Sequence, residues 1–233
     1  VTYRRLGQNA QGVRDADLGG LADCEDSEKV FTKRTSSSLI WIQAFLAENH
    51  THLSRTFPAD PESMIAQIAV DASPWGIGGI LIIKGAIVEF FADALGSDEH
   101  TLFGKEVGIS DHISTWETLA ILVALRCWNS RIPKGTKVEI RSDSMVALST
   151  LHKGRSKDVA INDLVANILL EEAAGSFKIG RLEHIPGISN SLPDSLSRLW
   201  PPSPRPFPKL ELAGAARTSA PPRDSEFLRV TIG

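Results

Sequence analysis

The apolar stretch "QIAVDASPWGIGGILIIKGAIVEFFA", residues 67–92, carries a carboxylate, Asp71, directly after the strand-forming residues 68–70. A lone acid in a hydrophobic core is costly, because removal from water favours its protonated form unless a cation or hydrogen-bond donors compensate. Asp71 therefore either ends the strand and caps a turn, or holds something positive. The positions of the other acids bear on this choice.

Composition allows an ordinary globular domain, since 42% of the 233 residues are hydrophobic and 23% are charged. A net charge of −3 is not that of a general polyanion binder, so any contact with nucleic acid must depend on a local patch. Two cysteines provide neither a disulfide framework nor metal-ligand spacing, which favours a reducing interior. No apolar run approaches about 18 residues, so no membrane span is expected.

Four regions are expected along the chain. Residues 1–36 are polar and weakly patterned, and residues 37–60 contain "SSLIWIQAFLAENHTHL", whose apolar spacing predicts one helix. Residues 64–200 hold the patterned domain. Residues 201–233 contain seven of the 13 prolines and are predicted to form an extended tail.

Within the domain, β-forming runs at 65–70, 79–83 and 86–91 are separated by glycine-bearing turns and predict a three-stranded meander. Two later strands, "TKVEIRSD" and "FKIGRLEHI", alternate with four helices. The order β-β-β-α-β-α-α-β-α predicts an α/β fold, a mixed five-stranded sheet with helices on both faces. Strands one and four are expected to be neighbours.

Glycines 76, 78 and 79 follow Asp71 and permit either a tight hairpin or close approach of another backbone. The hairpin is the favoured interpretation.

Four acids fall where this layout needs an explanation: Asp71 in strand one, Glu117 in the first turn of a buried helix, Asp143 at the end of strand four and Asp194 at the start of the last helix. Each has a structural alternative. An acid in a helix's first turn complements the helix dipole, and an acid after a strand can cap a turn.

Their joint placement is more specific than any one of them. Asp71 and Asp143 can meet on adjacent strands, and Glu117 and Asp194 can reach the same place from packed helices. Four gathered carboxylates repel one another unless divalent cations neutralise them. Oxygen-only ligands select hard ions, so two Mg²⁺ ions are expected, with Mn²⁺ as a substitute, as in two-metal phosphoryl hydrolysis.

The segments "VDASPWGIGGIL", "TWETLAILVALRCW", "IRSDSMVAL" and "HIPGISNSLPDSLSRL" together resemble the ribonuclease H domain of retroelement, or retrotransposon, reverse transcriptases. The resemblance covers about residues 64–200. It implies a ribonuclease H-like fold and cleavage of the RNA strand of RNA–DNA hybrids. It implies that Asp71, Glu117, Asp143 and Asp194 are the catalytic metal ligands, with no small-molecule cofactor.

The same resemblance places residues 37–60 in the position of the connector to a polymerase domain, the expected partner within one polyprotein. It implies an intracellular location, in cytoplasm or nucleus. Ser73, Ser144 and Asn190 stand beside the acids and are candidates for contact with the RNA 2′-hydroxyl. Many ribonucleases H carry a loop histidine where this chain has Ile188. His184 is interpreted as a core or edge residue.

Several alternatives remain open, among them another nuclease or transposase on the same fold and an α/β interaction domain whose acids need not converge. A degenerate ribonuclease H-like domain would serve as a connector or nucleic-acid-binding platform without activity. The predicted nucleic-acid patch can also be an ordinary solvated surface. That patch has eight basic residues against two acidic ones between positions 126 and 157: Arg126, Arg131, Lys134, Lys137, Arg141, Lys153, Arg155 and Lys157.

Overall fold

The computed structural model describes residues 66–132 and 136–228. The predicted polar segment 1–36 and the connector helix within 37–60 lie outside the described residues. Within the part that is described, no helix is long and apolar enough to cross a membrane.

The sheet begins with the predicted meander. Strands β1 (Ala66–Ser73), β2 (Gly76–Ile83) and β3 (Ala86–Ala94) pair antiparallel. The β-branched and aromatic residues of these runs suit a pleated surface that is covered on both sides. Strand β4 (Lys137–Ser142) lies parallel to β1, and β5 (Lys178–His184) lies parallel to β4. The prediction that strands one and four are neighbours is therefore confirmed.

Five α-helices are described: α1 (Ser97–Phe103), α2 (Ile113–Trp128), α3 (Met145–Lys153), α4 (Val159–Ala173) and α5 (Ser191–Ser197). Two have clear N-caps. The Ser144 hydroxyl accepts from Ala147 N at 3.2 Å, and the Asp158 carboxylate accepts from Ile161 N at 3.1 Å, so each satisfies a free N–H of the first turn. The predicted Ser144 cap is thus confirmed.

The sheet has a helix layer on each face because successive strand residues point to opposite sides. Ile68, Val70 and Ala72 join the main core, together with α2, whose residues from Leu119 to Leu125 are fully buried. Ala69, on the other face, belongs to a smaller cluster that includes Leu196 of α5. The predicted α/β arrangement with helices on both faces is present.

Three details differ from the expectation. In the described residues the sheet has six strands in the order β5-β4-β1-β2-β3-β6, because the two residues of β6 (Ala216–Arg217) pair with β3. Strand β1 does not end at Asp71 but continues to Ser73, so the acid lies inside the strand. Helix α2 begins at Ile113, which places Glu117 in its second turn rather than its first.

The described part of the proline-rich segment, 201–228, packs on the domain. Phe227 is buried, and the Arg126 guanidinium lies 4.5 Å from its ring centroid. Arg223 donates to Asp93 at 2.6 Å and to the Ala94 carbonyl at 2.9 Å, and it also pairs with Glu99. Side-chain exposure is 9% for Arg223 and 2% for Glu99, so this ion pair is well shielded from water.

Replacing Arg223 tests whether this segment stabilises the domain. The change Arg223→Ala leaves the Glu99 carboxylate buried without its cation, and we expect it to lower the free energy of unfolding by about 3–5 kcal/mol. Urea denaturation measures the loss. Arg217→Ala, at an exposed position of the same segment, is the matched control and should change stability by less than about 0.5 kcal/mol. Equal effects of the two changes would contradict the prediction.

Candidate active site

Asp71 and Asp143 lie at the same level at one end of the sheet, Asp71 within β1 and Asp143 directly after β4. The last pair between β1 and β4 is Ala69 with Arg141, and each acid comes two residues after it. Strand residues two apart point to the same face, and Ala69 faces α5. The parallel register therefore brings both residues to one end of the sheet, and the carboxylate of Asp71 points to the side that α5 covers.

Asp71 is the most deeply buried of the four acids, at 5% exposure. Burial raises the pKa of its carboxyl from 3.8 to about 8; the Ser197 hydroxyl opposes this shift, and the nearby carboxylates of Asp143 and Asp194 add to it. Ser197 Oγ donates to Asp71 Oδ2 at 2.6 Å. The charged form of Asp71 is thus disfavoured, and a bound cation would reverse this preference.

Glu117 approaches from the other helix layer. Its half-buried carboxylate accepts a hydrogen bond from the hydroxyl of Ser144, the residue after Asp143. Burial raises the pKa of Glu117, the Ser144 hydrogen bond lowers it, and the charge of Asp143 raises it. Glu117 therefore lies within electrostatic reach of Asp143.

Asp194 lies in the first turn of α5. Its Oδ1 pairs with the guanidinium of Arg198, one helical turn later, and its Oδ2 pairs with the guanidinium of Arg205. The Asp194 carbonyl accepts from Ser197 Oγ at 3.0 Å. One serine hydroxyl thus lies between the backbone of Asp194 and the carboxylate of Asp71.

The approach of α5 to the sheet depends on two glycines of β2. A Cβ added to Gly78 would lie 2.5 Å from Leu196 Cβ and 2.7 Å from Ser197 N, and one added to Gly76 would lie 2.7 Å from the Ser197 carbonyl oxygen. Both glycines lie inside the strand, and the turn before it is Pro74 and Trp75 alone. The predicted tight hairpin is present, since Gly76 pairs with Ser73 across this turn, and both glycines also allow the close approach of another backbone.

Asn190 connects the strands to the loop before α5. Its side chain is fully buried, and Nδ2 donates to the Val70 carbonyl at 2.9 Å and to Asp143 Oδ1 at 3.3 Å. Its Oδ1 has no hydrogen-bond partner. An unpaired buried carbonyl oxygen is unusual in a protein, and here it belongs to a side chain that contacts Asp143.

Each acid is thus linked to the next through a neighbouring residue: Glu117 bonds to Ser144, beside Asp143; Asn190 bonds to Asp143 and to the carbonyl of Val70, beside Asp71; and Ser197 bonds to Asp71 and to the Asp194 carbonyl. The side chains nevertheless do not close into a cage. In the described ranges, no group of three or more His, Cys, Asp or Glu side chains is close enough to hold a metal ion. Hydroxyl groups and guanidinium groups hold the carboxylates separately, which also reduces repulsion between like charges. Ligation of metal by the four acids stays a prediction.

Ser73, Ser144 and Asn190, the predicted substrate contacts, are all buried and bonded within the protein. Ser73 Oγ donates to the Ser197 carbonyl at 2.7 Å and accepts from Gly76 N at 3.0 Å. Their contact with substrate stays a prediction. His184, in contrast, is exposed at the end of the edge strand β5, and its Nε2 lies 3.2 Å from the Asp143 carbonyl oxygen.

The predicted basic patch is interrupted. Arg126 pairs with Glu171, Arg131 with Glu89, and Arg141 with Glu139 and Glu183. Lys134 lies outside the described residues. Exposed basic side chains of the set remain in and after α3, at Lys153, Arg155 and Lys157. A run of charge in the sequence thus overstates the charge available for binding phosphate.

Sequence reasoning missed three side chains of the site: Ser197, Arg198 and Arg205. The spacing of Arg198 four residues after Asp194 was a usable signal, because such pairs face each other on a helix. Ser197 and Arg205 had no comparable signal. Their contacts depend on how α5 and the segment after it pack.

The chain was compared with known proteins. No family model matches it, and no curated protein matches it. Among solved structures, it is similar to RNase H1 from the halophilic archaeon Halobacterium salinarum, with 18% identity over 57% of this chain and 92% of that chain and a TM-score of 0.43. It is also similar to LC11-RNase H1 isolated from compost, with 18% identity, 57% and 91% coverage and a TM-score of 0.44.

Five of the described strands lie in the order β5-β4-β1-β2-β3, with a leading antiparallel meander, parallel β4 and β5 and helices on both faces, which is the predicted mixed α/β architecture. The short β6 is an addition at the outer edge of β3.

Gly78→Ala tests the packing that positions Asp194. The new methyl group would overlap Leu196 and Ser197, so we expect a loss of about 1–3 kcal/mol in the free energy of unfolding, measured in urea. Gly96→Ala is the control, because its Cβ would meet only Glu99 Oε2 at 3.9 Å and its backbone is extended. A loss no larger than that of the control would refute close packing at Gly78.

Asp71 should make stability depend on pH in the absence of metal. Since its folded pKa is raised from 3.8 to about 8, the folded state binds the proton more tightly than the unfolded state, and stability falls as pH rises through this interval. In EDTA, Asp71→Asn should flatten this dependence and stabilise the protein above about pH 8 by on the order of 1–3 kcal/mol. Thermal unfolding across pH measures both effects.

The control for this experiment is Asp111→Asn, at an exposed position, which should leave the pH dependence unchanged. If Asp71→Asn strongly destabilised the protein at all pH values, its carboxylate would instead be a structural acceptor.

Proposed function

We propose that this protein is a metal-dependent endonuclease that cleaves the RNA strand of RNA–DNA hybrids. The observation that carries the proposal is the buried carboxylate of Asp71, which lies level with Asp143, the residue directly after the adjacent parallel strand. Elements from both faces of the sheet bring Glu117 and Asp194 toward the same end. The motif resemblance assigns these four positions as the acids of a ribonuclease H.

The donor chemistry of the site fits hard divalent ions. Asp71, Glu117, Asp143 and Asp194 would hold two Mg²⁺ ions, or Mn²⁺ in their place, since oxygen ligands favour such ions. Bound metal would supply an activated water and stabilise the leaving oxygen during phosphodiester hydrolysis. The unpaired Oδ1 of Asn190 provides a further neutral acceptor beside Asp143.

The protein itself contributes orientation. Ser197 fixes the Asp71 carboxylate, Ser144 fixes that of Glu117, and the Asn190 amide fixes that of Asp143. Each donor is itself buried, so its geometry is restrained by packing. Held in this way, the acids lose little freedom when a metal ion binds.

We further propose that the domain belongs to a retroelement reverse transcriptase and acts in cytoplasm or nucleus. A polymerase domain of the same polyprotein would be its partner. With its basic patch interrupted, the isolated domain would bind a hybrid weakly, and tethering to the polymerase would raise its effective concentration on the substrate.

The alternative is a ribonuclease H-like connector or binding platform without activity. The ion pairs of Asp194 with Arg198 and Arg205 favour it, because they occupy a carboxylate that the enzyme would need for metal. The presence of all four acids favours the enzyme, because a degenerate domain is expected to have lost one or more of them.

A cleavage assay decides between the two. The full chain is incubated in Mg²⁺ with labelled RNA–DNA hybrid, duplex DNA and duplex RNA, and we expect cuts only in the hybrid and only within its RNA. Mn²⁺ should replace Mg²⁺, and Asp71→Asn should remove activity while Asp111→Asn retains it. Cleavage that persists in EDTA would exclude the metal mechanism, and a folded protein that cuts no hybrid would support the platform.

A further inference from the structure

The segment after α5 brings a cation to one of the candidate metal ligands. Arg205 N donates to the Arg198 carbonyl at 2.7 Å, which holds the segment against the end of the helix. From there the Arg205 guanidinium pairs with Asp194 Oδ2, while Arg198 pairs with Oδ1. Both oxygens of Asp194 are therefore bound to cations of the chain itself.

A guanidinium and a divalent ion compete for such a carboxylate, because each needs its oxygen lone pairs and each adds positive charge at the same place. The two arginines are not equivalent. Arg198 is restrained by its position as the C-cap residue of α5, four residues from the acid. Arg205 belongs to a non-helical segment, and 47% of its side chain is exposed, so its release into water costs little.

The Arg205 contact is not what holds the segment on the domain. Leu212 and Phe227 are buried, and Thr218 N donates to the Phe90 carbonyl at 2.8 Å. Arg223 forms the ion pairs with Asp93 and Glu99 described above. The pairing of Arg205 with Asp194 is therefore free to break while the rest of the segment stays in place.

We propose that Arg205 is a tethered competitor of the divalent cation at Asp194 and weakens metal binding at the candidate active site. The proposal rests on the proposed function, since it takes Asp194 as a metal ligand. The fraction of protein with bound metal then depends on the conformation of residues 201–205, which sets the position of the Arg205 guanidinium. Any contact that draws Arg205 away, such as a phosphate of the hybrid backbone, strengthens metal binding.

Mn²⁺ binding to the full chain tests the proposal without relying on catalysis. Free Mn²⁺ is followed by electron paramagnetic resonance during titration at low ionic strength. We expect Arg205→Gln to bind Mn²⁺ about fivefold more tightly than the unchanged protein, a factor at the upper end of what one partly exposed charge pair contributes. Arg205→Lys keeps the charge and should bind within about twofold of the unchanged protein.

The matched control is Arg217→Gln, which removes an exposed guanidinium of the same segment that donates to the Ala92 carbonyl and should leave Mn²⁺ affinity unchanged. Thermal unfolding in EDTA verifies that all variants fold. Equal Mn²⁺ affinity in Arg205→Gln and the unchanged protein, with binding lost in Asp71→Asn, would overturn this inference and leave the proposed function standing. Absence of Mn²⁺ binding in every folded variant would overturn both.

Discussion

The burial of the Asp71 carboxylate is the constraint on which the site depends. An acid inside a covered strand needs a donor at hand, and Ser197 provides it from α5. That contact requires the helix backbone to lie almost directly on β2, which is possible only because Gly76 and Gly78 have no side chains. The same close packing sets the position of Asp194, so one desolvated group and two glycines determine the geometry of this end of the sheet.

Much of this arrangement could be predicted from the sequence because it follows from local periodicity and from simple rules of strand connection. The meander, the parallel pairing of β1 with β4 and the helices on both faces were expected, and the adjacency of Asp71 and Asp143 follows from that pairing. The Ser144 cap was also visible, since serine before an apolar helix is a local signal.

The remainder depends on contacts between distant residues, which local patterns do not encode. Helix α1 lies in a polar segment without helical apolar spacing, so the sequence contains no periodic pattern from which this helix could be predicted. The helix is capped by Gly104, which adopts the left-handed conformation. Glycines in strand β2 could serve a turn or a packed helix, and only the position of α5 reveals the second role. The basic run 126–157 appeared continuous because glutamates from other elements, such as Glu171 and Glu89, are far away in sequence.

The described part of the proline-rich segment belongs to the domain, which therefore extends beyond its last helix. Proline content suggests a boundary near Trp200, yet Leu212 and Phe227 are buried and Arg223 neutralises acids on β3 and α1. Proline removes backbone donors and resists regular structure, but it does not prevent neighbouring side chains from entering a core. Truncating the protein at its last helix would expose apolar surface on α2 and β3, and solubility of such a fragment would suffer for reasons unrelated to its chemistry.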